Sequence, residues 1–381
     1  MRGEPLLLEG TVRARPPQET WEVIAPQLSR FGITRVADLT GLDYLGLPVA
    51  TAIRPGSLTL SASQGKGASG LLARLSAVME AIELWAVEQP LTVVGRGPAR
   101  EVAPYPLAAL PVKAHVRPDL LDQIPLDWTA GTGIRTGRAV PVPCDVVRRS
   151  VQRPGWAPDV LRATSTGLAC GNTRHEALLH ALYEVVERDT LYADEISGGR
   201  QRTLIDPATV TDPYARSIVE RLLAAHVSLE LAVVAGPYGL PVCLAYLWTE
   251  DYPLWFAGAG CHSDPHIALT RALTEAAQSR LTCIAGTRDD LPSHEEAFAA
   301  LPVRPPARQG LRPWGDLVAG YEHPPWRGGF ADQVAAVAAR IEGVTGYEPV
   351  CLDLSAPGEP FAAFQIICPG TRSRIRRSVP R

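Results

Sequence analysis

An α/β fold of mixed sheets and long core helices, with internal pseudo-symmetry, is predicted by three features of this chain. One helical pattern occurs three times: Ala73-x-x-Ser76-Ala77-x-x-Glu80-x-x-Glu83, Ala177-x-x-His180-Ala181-x-x-Glu184-x-x-Glu187 and Ala268-x-x-Arg271-Ala272-x-x-Glu275-x-x-Gln278. Each copy follows glycines that read as a tight turn, at Gly65 and Gly67, at Gly167 and Gly171, and at Gly258 and Gly260. Strand-like runs alternate irregularly with these helices, which argues for mixed sheets rather than a doubly wound domain.

The elements follow from periodicity. Trp21, Ile24, Leu28 and Phe31 recur at helical spacing and predict a helix over Glu19–Phe31. β-like stretches at Val49–Arg54 and Ser57–Ser61 lead to the first glycines. Proline-rich connectors at Ala103–Pro125 and Leu301–Pro325 read as surface excursions. Further strands are expected at Arg138–Val142, Leu229–Ala235, Val242–Trp248, Trp255–Gly258, Val350–Leu354 and Ala363–Cys368, with a helix over Phe330–Glu342. Residues 1–60 make an N-terminal helix and strand segment ahead of a larger unit, 61–381.

A net charge of −3 gives no general attraction to nucleic acid or to acidic membranes. A local basic run, Arg372, Arg374, Arg376, Arg377 and Arg381, reads as a solvated tail. With no long apolar run and no hydrophobic signal core, the expectation is a cytoplasmic chain, neither exported nor inserted in a membrane. The seven cysteines lack zinc spacing and read as small buried hydrophobes in a reducing compartment. The tryptophans show no spacing of a base-stacking platform and read as core.

The chemistry lies in the repeat. Ala73, Ser76, Glu80 and Glu83 share one stripe of a helix whose other faces carry Leu71, Leu72, Leu75, Val78, Met79, Ile82, Leu84 and Trp85. In the second copy Glu176, His180, Glu184 and Glu187 cluster on one face, with Arg188 at its margin. A helix apolar nearly all round is buried, and a buried charge without a partner is costly. The acidic stripes therefore require bound cations. Hard oxygen donors with little sulfur or imidazole favour Mg²⁺ bridged to a nucleotide phosphate.

Two decoys fail on spacing. His175 and His180 stand at i and i+5, about 140° apart on a helix, whereas a zinc-protease pair needs i and i+4. Gly65-Lys66-Gly67 is no phosphate loop of the Gly-x-x-x-x-Gly-Lys-Ser/Thr type, because position 60 is Leu60 and Lys66 precedes Gly67.

Gly65-Lys66-Gly67 leading into Ser76-x-x-x-Glu80-x-x-Glu83 resembles the ATP-binding signature of the YcaO family. So do Ser165-Thr166-Gly167-Leu168-Ala169-Cys170-Gly171-Asn172, Glu176 and Glu184-x-x-Glu187-Arg188-Asp189, and the resemblance continues through Arg271–Arg280. Asp38-Leu39-Thr40-Gly41-Leu42-Asp43 and Gly46-Leu47-Pro48-Val49 resemble the TfuA-associated branch more than the azoline-forming one. The resemblance implies a YcaO-type α/β fold with ATP between the core helices, residues 61–381 as the catalytic domain, and a homodimer.

For the site, the reading is Mg²⁺ held by Glu80, Glu83, Glu184 and Glu187, with Glu176 nearby. ATP contacts fall to Lys66, Ser76, Asn172, Glu176, Arg188 and Arg280, where the analogy makes either Arg271 or Arg280 the phosphate contact and Arg280 is the candidate. Glu184, Glu187 and Arg188 form the catalytic set, acting by electrostatics without a protein nucleophile. A lysine nearer the N-terminus that contacts phosphate in the family has no assigned counterpart. The implied activity is ATP- and Mg²⁺-dependent O-phosphorylation of a peptide backbone amide. In the branch resembled, sulfide then gives a thioamide in a ribosomally made peptide or protein, with a TfuA-like partner. Azoline or amidine formation, and a non-catalytic ATP-binding scaffold, are the alternatives. The ending Ser378-Val379-Pro380-Arg381 lacks the Pro-x-Pro-x-Pro tail of many azoline-forming relatives.

Overall fold

One small unit, a strand that runs into a long helix, is built three times along this chain. The computed structural model describes residues 5–113, 116–148, 159–288, 290–291, 294–299, 301–321, 328–356 and 358–373. A hairpin of β1 (Leu6–Leu8) and β2 (Thr11–Arg13) precedes helix α1 (Pro17–Ile24). Strands β3 (Arg35–Asp38), β4 (Val49–Ile53) and β5 (Ala62–Lys66) form a three-stranded sheet that feeds α2 (Gly70–Glu88). Next, β6 (Gly95–Pro98), β7 (Pro125–Gly133), β8 (Ala139–Pro143) and β9 (Leu168–Gly171) lead into α3 (Arg174–Ile196). The third unit is the four-stranded sheet of β10 (Arg202–Ile205), β11 (Ser228–Val234), β12 (Val242–Trp248) and β13 (Phe256–Cys261), backed by α4 (Pro213–Ala224) and feeding α5 (Pro265–Ala285). After α6 (Phe330–Thr345), β14 (Val350–Asp353) and β15 (Ala362–Ile367) return to the middle sheet, ordered β6-β7-β14-β15-β9 with β8 on β7.

The α/β fold with long core helices is as expected. Its sheets are antiparallel in every ladder among the described residues, not mixed. The pseudo-symmetry extends to single atoms. Ser69, Thr173 and Asp264 each cap their helix with a side-chain oxygen and stand at the same register ahead of Ala73, Ala177 and Ala268. A Cβ on Gly65 would lie 2.0 Å from Ala77 N and 2.3 Å from Ala73 O. One on the equivalent Gly260 would lie 3.0 Å from Ala272 N and 2.2 Å from Ala268 O.

These contacts correct the reading of the glycines. Gly65, Gly171, Gly258 and Gly260 lie inside strands, where the missing side chain lets strand backbone touch helix backbone. Gly167 alone is a turn, at φ +79°. Ser57–Ser61 is not a strand; Glu88 accepts from Leu58 N and pairs with Arg54, folding that stretch into turns, and β5 starts at Ala62. The N-terminal helix stops at Ile24 and continues as a 3₁₀ helix over Ala25–Phe31, because Pro26 has no N–H to continue the α ladder. The connector 103–125 is not wholly a surface excursion, since Tyr105, Leu107, Leu110 and Leu121 are buried against Trp128 and Val142. In 301–321 Trp314 and Val318 are likewise buried, and the tail arginines beyond Arg372 lie outside the described residues.

Strand pairing crosses residue 60, for β4 and β5 align from Val49↔Lys66 to Ile53↔Ala62. The largest apolar cluster surrounds α3, with Ala177, Ala181, Leu182 and Val186 packed among β12, β13, α6 and β15. Among the described residues no helix is long and apolar enough to cross a membrane.

Gly65→Ala is expected to destabilise the protein by about 3 kcal/mol, because the clash is with helix backbone rather than a movable side chain. Gly70→Ala, where nothing lies within 4 Å, is expected to be neutral or slightly stabilising. Denaturant midpoints of the two variants check this, and equal midpoints would refute it.

Candidate active site

Equivalent positions of α2, α3 and α5 face a common space. Glu80, Glu184 and Glu275 hold one repeat position; Glu83, Glu187 and Gln278 hold the next; Ser76, His180 and Arg271 hold the one before. Glu187 is buried, with Glu275, Arg188, Arg271 and Glu184 acting on its charge. Arg188 reaches Glu184 at 3.4 Å and Glu187 at 3.6 Å. Lys66, at the end of β5, pairs with Glu275 of α5. Glu80 accepts from the backbone N–H of Gln64 and lies near Arg288, Lys66 and Glu275. Backbone also fixes the remaining acids: Gly167 N–H donates to Glu184 at 3.2 Å, and Cys170 N–H donates to Glu83 at 2.8 Å.

Burial dominates the electrostatics. It lifts Glu80 and Glu187 each to about 7, and raises Glu184. Glu275 is the exception: burial pushes it up, but Lys66 and then Arg188 more than offset this and hold it below the usual range. A carboxylate raised on folding keeps a proton that the unfolded chain has lost. Stability from Glu80 and Glu187 is therefore present below about pH 4.5 and is lost as pH rises to about 7. A bound cation reverses this preference by favouring the ionised form.

A second polar group lies at the other end of α3. Glu176 is about 12 Å along the helix axis from Glu184. It accepts from Asn172 N at 3.3 Å, Asn172 Nδ2 at 3.2 Å and Ala14 N at 3.0 Å, with Arg13 Nε at 3.8 Å. Thr20 Oγ1 donates to Asn172 Oδ1 at 2.7 Å. Glu176 and Asn172 thus group with the N-terminal hairpin and α1, apart from the four acids around Glu187. Between the two groups stand cations and neutral imidazoles. Burial, then Arg271 and Arg13, push His180 well below its ordinary value, and His262 is lowered to about 3 by the same causes.

The structure brings together Lys66, Glu80, Glu184, Glu187 and Arg188, and holds Glu83 against β9. Ser76 lies half-buried on the same stripe of α2. Arg280 points elsewhere: it is fully buried and bonded to Asp43, Thr249 and Asp251, in an ion network that anchors the N-terminal segment to α5. Arg271 is the third-helix cation that faces the acids. Sequence reasoning missed Glu275 and Arg13 and held Arg271 only as the alternative to Arg280. The repeat contained the signal for Glu275, which falls at the register of Glu80 and Glu184. Arg13 carried no signal, because only the fold brings the hairpin onto α3. Asp189, next to Arg188, faces away and accepts from Tyr238 OH at 2.5 Å and Arg372 N at 2.6 Å.

No three carboxylate, imidazole or thiol groups among the described residues converge closely enough to hold a metal alone. The donor set fits Mg²⁺ completed by a phosphate: oxygen ligands only, one or two per ion, beside Lys66, Arg188, Arg271 and Arg13. The buried Nε of Arg271 makes no hydrogen bond among the described residues, which suits an anionic ligand.

Residues 64–372 match the family description "YcaO cyclodehydratase, ATP- and Mg²⁺-binding". The chain belongs to the YcaO family. ATP and Mg²⁺ are accordingly its cofactors. A protein of Mycobacterium tuberculosis is 37% identical over 372 residues, covering 95% of this chain and 82% of that one. A Rhizobium leguminosarum bv. trifolii protein described as lying in the tfuA 3′ region is 38% identical over 290 residues, 73% of this chain and 69% of its own. The YcaO structure of Methanopyrus kandleri bound with AMPPCP and Mg²⁺ superposes at TM-score 0.71 and 21% identity, covering 99% of both chains. A heterocyclase in complex with substrate and cofactor superposes at TM-score 0.75 and 20% identity, over 98% of this chain and 55% of that one. YcaO proteins are ATP-dependent peptide-modifying enzymes.

Arg271→Ala is expected to weaken Mg·nucleotide binding by at least about tenfold with little change in melting temperature. Arg280→Ala is expected to cost about 3–5 kcal/mol of stability, because it leaves Asp43 buried without its partner. Calorimetric titration and thermal unfolding separate the two, and the reverse pattern would restore Arg280 to the phosphate site.

Proposed function

We propose that this YcaO chain activates a peptide backbone amide by ATP-dependent O-phosphorylation and delivers it to sulfide as a thioamide. The observation that carries the first step is a half-buried set of acids around the buried Glu187, faced by Lys66, Arg188 and Arg271, with no activated nucleophile beside it among the described residues. Cys170, in the adjoining strand, is pushed well above its ordinary value by burial and by Glu83, so its thiol stays protonated. When bound, Mg·ATP supplies the phosphoryl group and neutralises charge at the transfer.

The protein's part is positioning and electrostatics. Glu80, Glu83, Glu184 and Glu187 would hold the metal with Glu275, while Lys66, Arg188, Arg271 and Arg13 would hold the phosphates. Ser76 contacts the nucleoside, and Asn172 and Glu176 orient the end of the site nearest α1. The amide oxygen attacks the γ-phosphorus and ADP departs. Sulfide then adds to the amide carbon and phosphate leaves with the original oxygen.

The thioamide outcome is supported by the N-terminal resemblance at Asp38–Asp43 and by the Rhizobium relative from the tfuA 3′ region. A TfuA-like protein is the proposed partner, a ribosomally made peptide or protein the substrate, the cytoplasm the compartment, and a homodimer the working form. Residues 61–381 act as the catalytic domain and 1–60 complete its site through Arg13 and Thr20. A cyclodehydratase forming azolines or amidines is the second reading, favoured by the family description and the heterocyclase likeness.

Glu187→Gln and Glu83→Gln are expected to lower ATP turnover by about 100-fold or more while the fold is retained. With ATP, Mg²⁺, sulfide and a TfuA-like partner, a substrate peptide is expected to gain about 16 Da per site, the oxygen-to-sulfur exchange. Mass spectrometry showing a loss of about 18 Da without need of sulfide would replace the thioamide reading by the cyclodehydratase one.

A further inference from the structure

We propose that the open edge of β11 at Ser228–Leu231 binds an extended, acidic stretch of the peptide substrate by strand addition, outside the acid cleft. The inference rests on the reading of this chain as a peptide-modifying enzyme and adds a second contact for the peptide, made by none of the cleft residues. A cavity of about 380 Å³ lies at this end of the third sheet, a size that suits a ligand site. Ser228, Leu229, Glu230 and Leu231 all line it. Successive strand residues face opposite sides of a sheet, so four in a row meet one cavity only along the strand's edge.

Register explains why that edge is open. β10 and β11 pair from Arg202↔Val234 to Ile205↔Leu231, and Ala235 N–H donates to the Gln201 carbonyl at 3.0 Å. Hydrogen-bonded pairs recur at every second residue of an antiparallel ladder. Gln201 with Ala235 therefore sets Thr203 with Val233 and Ile205 with Leu231, and the next such pair is Pro207 with Leu229. Pro207 has no N–H to donate, and it opens a 3₁₀ turn over Pro207–Thr209 that leads the chain off the sheet. The ladder ends there. The N–H and C=O of Leu229 are left on the cavity side with no hydrogen bond among the described residues, while β12 takes the other edge of β11.

The far wall decides what kind of peptide fits. It belongs to the proline-rich connector, whose Pro305 and Pro306 carry no N–H to pair with β11. Side chains make the tie instead: Arg304 Nη2 donates to the His226 carbonyl at 3.3 Å, and Arg308 Nε donates to Glu230 at 3.2 Å. Glu230 answers the charge of Arg308. Arg304 is exposed and has no carboxylate partner among the described residues, so the lining carries a net positive charge. Leu204, Leu311 and Trp255 make much of the rest apolar. An added strand would bond to Leu229 through its backbone, set a carboxylate against Arg304 and lay apolar side chains on Leu204 and Trp255.

The probe is a fluorescein-labelled, capped hexapeptide of alternating valine and glutamate, titrated with the full chain and read by anisotropy. Wild type is expected to bind it at least about tenfold more tightly than the analogue with lysine for glutamate. Arg304→Glu is expected to reverse that preference while melting temperature and ATP turnover stay unchanged. Backbone pairing is tested separately by N-methylating alternate residues of the probe. One register is expected to abolish binding and the other to keep it within about threefold, because only every second residue pairs with the edge. Equal effects of the two registers, or no preference between the glutamate and lysine probes, would overturn the proposal. A shift from dimer to monomer on Arg304→Glu, seen by sedimentation, would also overturn it and give this edge to a second copy of the chain. Failure of wild type to bind Mg·AMPPCP would instead sink the ATP reading, whereas failure to bind the probe with Mg·AMPPCP binding intact would sink this proposal alone.

Discussion

Carboxylates crowded between helices are the constraint from which the rest of this structure follows. Glu187 is buried, and Glu80, Glu184 and Glu275 are half-buried, on three helices that otherwise build apolar core, and desolvation raises Glu80, Glu184 and Glu187. The chain meets this cost partly with its own cations. Lys66 and Arg188 lie against Glu275 and Glu184, and Glu275 alone is held below the usual range. The balance is left for a ligand, in a cleft where like charges crowd each other unless a divalent ion separates them. A site so arranged carries uncompensated acid charge when empty, which a metal with phosphate would relieve.

Close packing makes that geometry possible. Gly65 and Gly260 bring strand backbone within reach of the alanines of α2 and α5, so each helix sits directly on the end of its sheet. Equivalent caps at Ser69, Thr173 and Asp264 then start the three helices at the same register, and this register sends Glu80, Glu184 and Glu275 to the same side. The pseudo-symmetry is broken at two of the repeat positions that face the acids. Ser76, His180 and Arg271 occupy one repeat position with three different side chains, and Gln278 stands where the other helices carry Glu83 and Glu187. Gln278 instead donates to the carbonyl of Gln64 at 3.4 Å, which ties α5 to β5 beside Glu80.

The acid half of the site was legible in the sequence because a 3.6-residue period and an unusual residue type coincide. Glu80, Glu83, Glu184 and Glu187 could not be ordinary surface glutamates on helices so apolar. Glu275 stood in the same pattern, yet with Gln278 after it the third stripe looked incomplete. Arg280 and Arg271 could not be separated by spacing, since the choice depends on which helix face meets Asp43, and that is a long-range contact. The hairpin that brings Arg13 and Ala14 to Glu176 is equally invisible to local pattern. In the fold, strands buried on both faces such as Val242–Trp248 were readable from composition. The strand nature of Gly65 and Gly260 was not, because glycine's local preference for turns is overridden by helix packing.

The central claim, that metal and nucleotide complete a partly buried carboxylate cluster, has a direct thermodynamic signature. Glu80 and Glu187 sit at about 7 without ligand, so near pH 7 each is about half protonated and must give up that proton to bind a cation. Titration calorimetry of Mg·AMPPCP in buffers of different ionisation enthalpy measures the protons released. The account predicts release of about one proton per site at pH 7, falling toward zero by about pH 9. Binding of full strength with no proton release at either pH would contradict it, and would place the metal away from these acids.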